Sequence, residues 1–313
     1  MPTLGFGTAT LGREIDADTS FRILDAAFEA GIRHFDTAEA YGGGNARATR
    51  KATLGIDDVR EASGVMHSSE LLLGEWIRNR GVRKEITLAT KVSSGSRAED
   101  VLQAISRSME RLQVERLDAY YLHSIPKELP LSEPLAALEQ ACAEGRVLST
   151  GVSNAQLVHL EESRRYSPHL HYCQNPFNLV QYRETLDTLD YCKHHDVQFV
   201  AYSPLAAGFL TGKYGPRGEV EVKGTRFDVA PGHQSIYLNE RGFEALYRLE
   251  SASVKTGIPK HLLALAWVLR QQSIAIMLIG ATKLHHIEQA LEAQQLSLEE
   301  EVWESLLPSE ESQ

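Results

Sequence analysis

The 313-residue chain is poor in cysteine, in net basic charge and in long apolar runs. Its three cysteines, Cys142, Cys173 and Cys192, are odd in number and share no C-x-x-C spacing, which argues against a disulfide framework and a zinc cluster. With 32 Lys and Arg against 42 Asp and Glu, the net charge of −10 opposes attraction to a phosphate backbone, so no nucleic-acid partner is expected. No run of about 18 apolar residues occurs. The N-terminal MPTLGFGTATLG has no basic stretch leading into an apolar one, so neither membrane span nor leader is expected, and the chain reads as soluble and cytoplasmic. The fingerprint of an open dinucleotide-binding sheet is missing as well: GFGTATLG does not run into a helix at G-x-G-x-x-G spacing.

What is present is alternation. Apolar, strand-like runs recur at residues 4–10, 32–37, 85–91, 117–123, 147–153, 169–174, 197–203 and 274–280. Between them lie helical patterns such as DTSFRILDAAFEAG, SSELLLGEWIRNRG and RAEDVLQAISRSMERL, with apolar residues three and four apart and Gly or basic residues near their ends. Eight such units without a break in composition predict a single α/β domain over residues 1–313, a closed (β/α)8 barrel of parallel strands buried on both faces. A doubly wound open sheet is the alternative.

In such a barrel the carboxyl ends of the strands share one mouth, where the chemistry is found. Read in order, those ends carry Asp36, Lys91, His123, Ser153 with Asn154, Gln174, Tyr202 and Gly280. Asp36 and Lys91 end neighbouring strands, His123 ends the next, and Tyr41 is placed one helical turn beyond Asp36. A cation near a phenol favours its ionised form, and a paired carboxylate compensates a buried lysine, so the four together read as a tuned proton donor. His34, Asp36 and His123 also suggest a metal site, but Lys91 would sit among the ligands and no further H-x-H or H-E pair appears, so no metal is expected.

In these words, FDTAEAY, TLATK, YYLHS, GVSN, QNPFN and YSPLAAGFLTGKY, the chain resembles the aldo-keto reductase family, in that family's order and over nearly its whole length. The resemblance implies a TIM barrel that binds NADPH across its mouth and passes a hydride to a carbonyl carbon. By the same resemblance Tyr41 is the general acid, aided by Lys91 and Asp36, while His123 orients the carbonyl. Ser153, Asn154 and Gln174 match residues that hold the carboxamide, Tyr202 matches the aromatic stacked on the nicotinamide, and Thr8 lies near its ribose. Ser203, Leu205, Gly208, Leu210 and Lys213 fall in the loop that wraps the pyrophosphate. After the last strand, Gly280, Ala281, Thr282, Lys283 and His286 open a helix suited to the adenosine 2'-phosphate.

The chain departs from the family in three places. Gln289 and Ala290 replace an acidic-Asn pair that holds the adenine, which leaves NADPH favoured by Lys283 and NADH use open. The first strand begins almost at Met1, without a hairpin to plug the barrel floor. Residues 43–67 form a long loop inserted after the second strand, where a few residues suffice. As a loop rooted beside Tyr41, this insertion is expected to govern the substrate as a lid at the mouth, away from the nucleotide loops, with a surface flap or subunit contact without a substrate role as the alternative. In the lid reading, its Arg47, Arg50, Lys51 and Arg60 favour an anionic or phosphorylated substrate. The competing functional class is a sensor or regulatory barrel that retains cofactor and turns over slowly. Nothing in the sequence sets an oligomeric state.

Overall fold

The structure, a computed structural model, describes residues 1–95, 97–126 and 130–308. Eight parallel strands close into a barrel: β1 (Thr3–Gly7), β2 (His34–Asp36), β3 (Thr87–Val92), β4 (Leu117–Leu122), β5 (Val147–Ser153), β6 (Leu170–Pro176), β7 (Gln198–Tyr202) and β8 (Ile274–Ile279). Each strand pairs with the next, and β1 pairs with β8 with Thr3 opposite Ile276, so no edge is left. This is the (β/α)8 barrel that the alternation implied. All eight apolar runs become strands because a strand enclosed by helices outside and side chains inside is apolar on both faces.

Helices form where the pattern placed them and stop where the local chemistry requires. Asp16 caps Ala17–Glu29 by accepting the Thr19 amide at 2.8 Å, and Gly31 at φ +86° turns the chain back into β2. Helix Ala98–Leu112 turns Val101, Ala104, Ile105, Ser108 and Leu112 to the barrel wall. Gly74 lets helix Ser68–Arg80 lie against it, since a β-carbon there would come 2.6 Å from the Leu112 Cα.

The register sets the depth of each interior side chain. Asp36 lies level with Gly7 and Ala89, whereas Lys91 lies two residues nearer the mouth, level with Tyr121. Tyr121 in turn faces Gly151, where any β-carbon would meet its ring at 2.4 Å. A small residue on β5 therefore makes room for a phenol inside the barrel.

Beyond Asp36 the chain does not enter a helix. Residues 38–41 make a tight turn closed by the Tyr41 amide on the Ala38 carbonyl at 2.9 Å, so Tyr41 reaches the mouth from a turn and not from the helical turn expected. The insertion is not a bare loop either. Gly43–Leu54 is a helix, ended by Gly55 at φ +70°, and an extended return follows. Gly43 and Gly44 are needed because that return crosses them: a β-carbon on Gly43 would fall 1.8 Å from the Ser63 carbonyl oxygen.

Candidate active site

Asp36 and Lys91 are both buried, with side chains 2% and 0% exposed. Lys91 Nζ donates to Asp36 Oδ1 at 2.5 Å and to the Thr37 carbonyl at 2.7 Å. The other carboxylate oxygen of Asp36 accepts from Gln174 Nε2 at 2.9 Å. A buried carboxylate is tolerable only when its lone pairs are met, and here a cation and an amide meet them. The Lys91 ammonium lies 5.2 Å from the Tyr41 ring centroid and 5.8 Å from that of Tyr121. Tyr41, half-buried, stands edge-on to His123 with centroids 5.4 Å apart.

His123 is held neutral: burial, assisted by the Lys91 charge, pulls its pKa down to about 3. Its backbone carbonyl accepts from Asn154 Nδ2 at 2.8 Å, and Asn154 Oδ1 accepts from the Tyr202 hydroxyl at 2.7 Å. Thus four sequence-predicted residues from four strands meet in one chain of contacts. Ser153 and Gln174 lie deeper. Both are buried, with Ser153 Oγ donating to the Gln174 carbonyl at 2.9 Å. Of the three carboxamide candidates only Asn154 is exposed at the rim. Thr8 is buried too, its hydroxyl donating to the Asp36 carbonyl at 3.0 Å and lying 2.8 Å from Ser69 Oγ.

After β7 the chain makes an excursion over residues 203–239. Ser203, Ala206, Ala207 and Gly208 have φ of +53°, +51°, +57° and +89°, left-handed backbone of the kind that gathers amides around an anion. Leu205 is half-buried beside it, and Lys213 folds over Gly208, its Nζ 3.0 Å from where a β-carbon would sit. Leu210 is fully buried in the core, where it shapes the loop. After β8, Gly280 and Lys283 are exposed, Ala281 is buried, and Thr282, His286 and Gln289 are half-buried. The Thr282 amide donates to His286 Nδ1 at 3.3 Å. Ala290, fully buried, faces the core and not the mouth.

A model of the aldo/keto reductase family matches residues 3–307. The chain belongs to the aldo-keto reductase family. It is therefore an NAD(P)H-dependent oxidoreductase. Aldo-keto reductase str7 of Strobilurus tenacellus is 27% identical to it, over 95% of this chain and 85% of that protein. Aldo-keto reductase yakc [NADP(+)] of Schizosaccharomyces pombe is 24% identical over the same shares, and protein tas of Escherichia coli 27% identical over 96% and 91%. A crystal structure of the thermostable aldo-keto reductase Tm1743 with the inhibitor epalrestat superposes with a TM-score of 0.71 at 24% identity, covering 98% of this chain and 94% of that one. That likeness supports the barrel fold.

In this aldo-keto reductase the insertion departs from expectation in its charges and its neighbours. Arg47 and Lys51 both bind Asp57 at 2.8 Å, and the buried Arg50 pairs with Glu61. Arg60 donates to Asp228 Oδ1 at 2.7 Å and to its carbonyl at 2.9 Å. Cations satisfied in this way offer no free charge to a substrate, so the expected link to anionic carbonyls falls. The pairing is not legible in the sequence because Asp57, Asp58 and Glu61 lie in the insertion's second half and Asp228 lies far beyond it. Nor does the insertion stand apart from the nucleotide side. Besides Arg60, Arg50 Nη1 donates to the Val229 carbonyl at 3.1 Å, tying the insertion to the excursion after β7.

Two further residues went unnoticed in the sequence. Arg13, after β1, and Arg226, in the β7 excursion, share Glu14, at 2.8 and 3.9 Å. Arg13 Nη2 and Arg226 Nε are buried without a hydrogen-bond partner among the described residues. Burial and the facing Arg13 lower the pKa of Arg226; burial and then Arg226 lower that of Lys213. A lone arginine near each of two loops has no sequence signature; only their convergence on one carboxylate marks them.

Proposed function

We propose that this aldo-keto reductase reduces the carbonyl of a small aldehyde, ketone or keto-sugar with NADPH, and that Tyr41 is its general acid. The observation that carries the reading is the buried Lys91–Asp36 pair directly beneath Tyr41, with neutral His123 edge-on beside the phenol.

The residues present fit the nucleotide. Three cations, Arg13, Arg226 and Lys213, lie around the carboxylate of Glu14, and two of their buried N–H groups lack acceptors among the described residues. A diphosphate supplies acceptors and negative charge, which relieves both deficits. The left-handed residues 203 and 206–208 add backbone amides, and Lys283 stands exposed where an adenosine 2'-phosphate would give NADPH its advantage over NADH. Asn154 and Tyr202 are the groups at the rim that hold the nicotinamide end.

When bound, the dihydronicotinamide supplies the hydride. The protein's part is the proton and the placement. Tyr41 gives its hydroxyl proton to the carbonyl oxygen as charge develops there, a contribution of about 10²–10⁴ in rate for a positioned acid. Lys91 stabilises the tyrosinate left behind, and Asp36, fixed by Gln174, keeps Lys91 charged and in place. His123 is uncharged at neutral pH, so it orients the carbonyl by hydrogen bonding and does not compete with Tyr41 as the acid.

The test is Tyr41→Phe, followed by NADPH consumption with a panel of carbonyls and by nucleotide titration. Turnover should fall by at least a hundredfold while NADPH affinity changes by no more than a few fold, since the substitution removes an acid and no nucleotide contact (about 10²–10⁴ for general acid catalysis). Turnover retained within tenfold would refute the assignment.

A further inference from the structure

The short helix Arg226–Val229 in the β7 excursion turns Arg226 toward Glu14, yet its four residues are far fewer than a helix needs to stand alone. Its first half is satisfied from within the excursion. The Thr225 side chain accepts the Phe227 amide at 3.2 Å, the Ala230 amide donates to the Arg226 carbonyl at 2.8 Å, and Gln234 Nε2 donates to the Phe227 carbonyl at 3.0 Å. The last two carbonyls are met from the insertion: Arg60 Nη1 donates to that of Asp228 at 2.9 Å and Arg50 Nη1 to that of Val229 at 3.1 Å. A helix leaves its final carbonyls without internal donors and carries partial negative charge there, so two guanidinium groups suit that end.

Both guanidinium groups are braced before they reach the helix. Arg50 is buried, pairs with Glu61 and donates to the Asp58 carbonyl at 2.6 Å. Arg60 Nε donates to the Asp58 carboxylate at 2.9 Å, while its Nη1 reaches Asp228 Oδ1 at 2.7 Å. The other carboxylate oxygen of Asp228 accepts the Gly224 amide at 2.9 Å. On the inner side of the helix, buried Phe227 stacks on Tyr214 with centroids 4.1 Å apart and planes 10° from parallel. The Tyr214 hydroxyl donates to the Ala207 carbonyl at 3.2 Å, and Lys213 is its chain neighbour. The place of this one helix therefore sets the places of Arg226, of Lys213 and of the left-handed residue Ala207.

We propose that Arg50 and Arg60 are positioning residues for the nucleotide: by capping the helix Arg226–Val229 they hold Arg226 and Lys213 against the diphosphate, so that the insertion after β2 controls nucleotide release. The inference rests on the diphosphate lying among Arg13, Arg226 and Lys213, and it adds what holds two of those three cations in place. Cutting the Arg60–Asp228 pair lets the helix open about fivefold more often, the scale of one partly exposed ion pair. NADPH and NADH share the diphosphate, so both leave faster by the same factor.

The experiment uses the full-length enzyme as wild type, Arg60→Ala, Asp228→Ala, the double variant and Arg50→Lys. Hydrogen exchange in the nucleotide-free protein reads the amides of Asp228, Val229 and Ala230, which bond back to Thr225 and Arg226. Stopped-flow fluorescence reads the release of NADPH and of NADH. Arg60→Ala should speed exchange of those amides and release of both nucleotides by about fivefold. The double variant should fall well below the product of the two single effects, because both substitutions cut one pair. Arg50→Lys keeps the charge beside Glu61, but one ammonium cannot also span the carbonyls of Asp58 and Val229 as the planar fork does, so it too should speed both releases. Faster exchange with unchanged release, release of NADPH alone accelerated, or single effects that multiply in the double variant would each overturn the proposal. A failure of the parent reading looks different: Arg13→Ala, which leaves the cap intact, would then leave the affinities for both nucleotides unchanged.

Discussion

Replacing Lys91 by Met separates the two roles proposed for its ammonium. The methionine fills similar space but removes the donor to Asp36 Oδ1 and to the Thr37 carbonyl, at a site where neither side chain of the pair is more than 2% exposed. Asp36 keeps Gln174 as a partner but loses its countercharge. Breaking a buried pair from one side costs about 3–5 kcal/mol, because the remaining charge stays desolvated. Urea unfolding at pH 7 should show a loss of that size. In the double variant Asp36→Asn with Lys91→Met the stranded charge is gone, so a large part of the stability should return. Turnover should not return, since the phenol still lacks its cation. The assay is therefore a pair of unfolding curves beside a pair of rates. A double variant as unstable as the single one, or one that recovers NADPH-dependent reduction, would refute the argument.

Three further outcomes are expected. Lys283→Ala should weaken NADPH by about ten- to a hundredfold, as a charge-assisted contact is worth roughly 1.5–3 kcal/mol, and leave NADH nearly unchanged in a fluorescence titration; equal weakening of both would place the 2'-phosphate elsewhere. His123, His233 and His286 are depressed by burial to about 3, 4 and 4 from 6.5, so the unfolded chain takes up their protons first as pH falls. The stability present above pH 6.5 should be lost progressively between there and about pH 3, and a urea midpoint at pH 5 equal to that at pH 7 would contradict this. Arg60→Ala cuts a half-exposed ion pair between the insertion and the β7 excursion, worth about 1 kcal/mol, and should speed NADPH release roughly fivefold in stopped flow; an unchanged off-rate would show that the tie does not restrain the nucleotide loop.

The sequence by itself determined the barrel, because strands buried on both faces and helices buried on one leave periodicities that can be read one element at a time. It also marked Asp36, Lys91 and His123, since a charged or titratable residue ending an apolar strand stands out against its neighbours. Tertiary structure decided what these residues touch. The insertion's arginines looked free in a linear scan, yet Arg50 and Arg60 find Glu61, Asp228 and the Val229 carbonyl only once the chain has folded back. Arg13 and Arg226 are 213 positions apart, 226 less 13, and share Glu14 only because the loops after β1 and β7 meet over the mouth. Local pattern is written in burial and spacing along the chain, whereas hydrogen-bond partners depend on the convergence of loops, and convergence has no local signature.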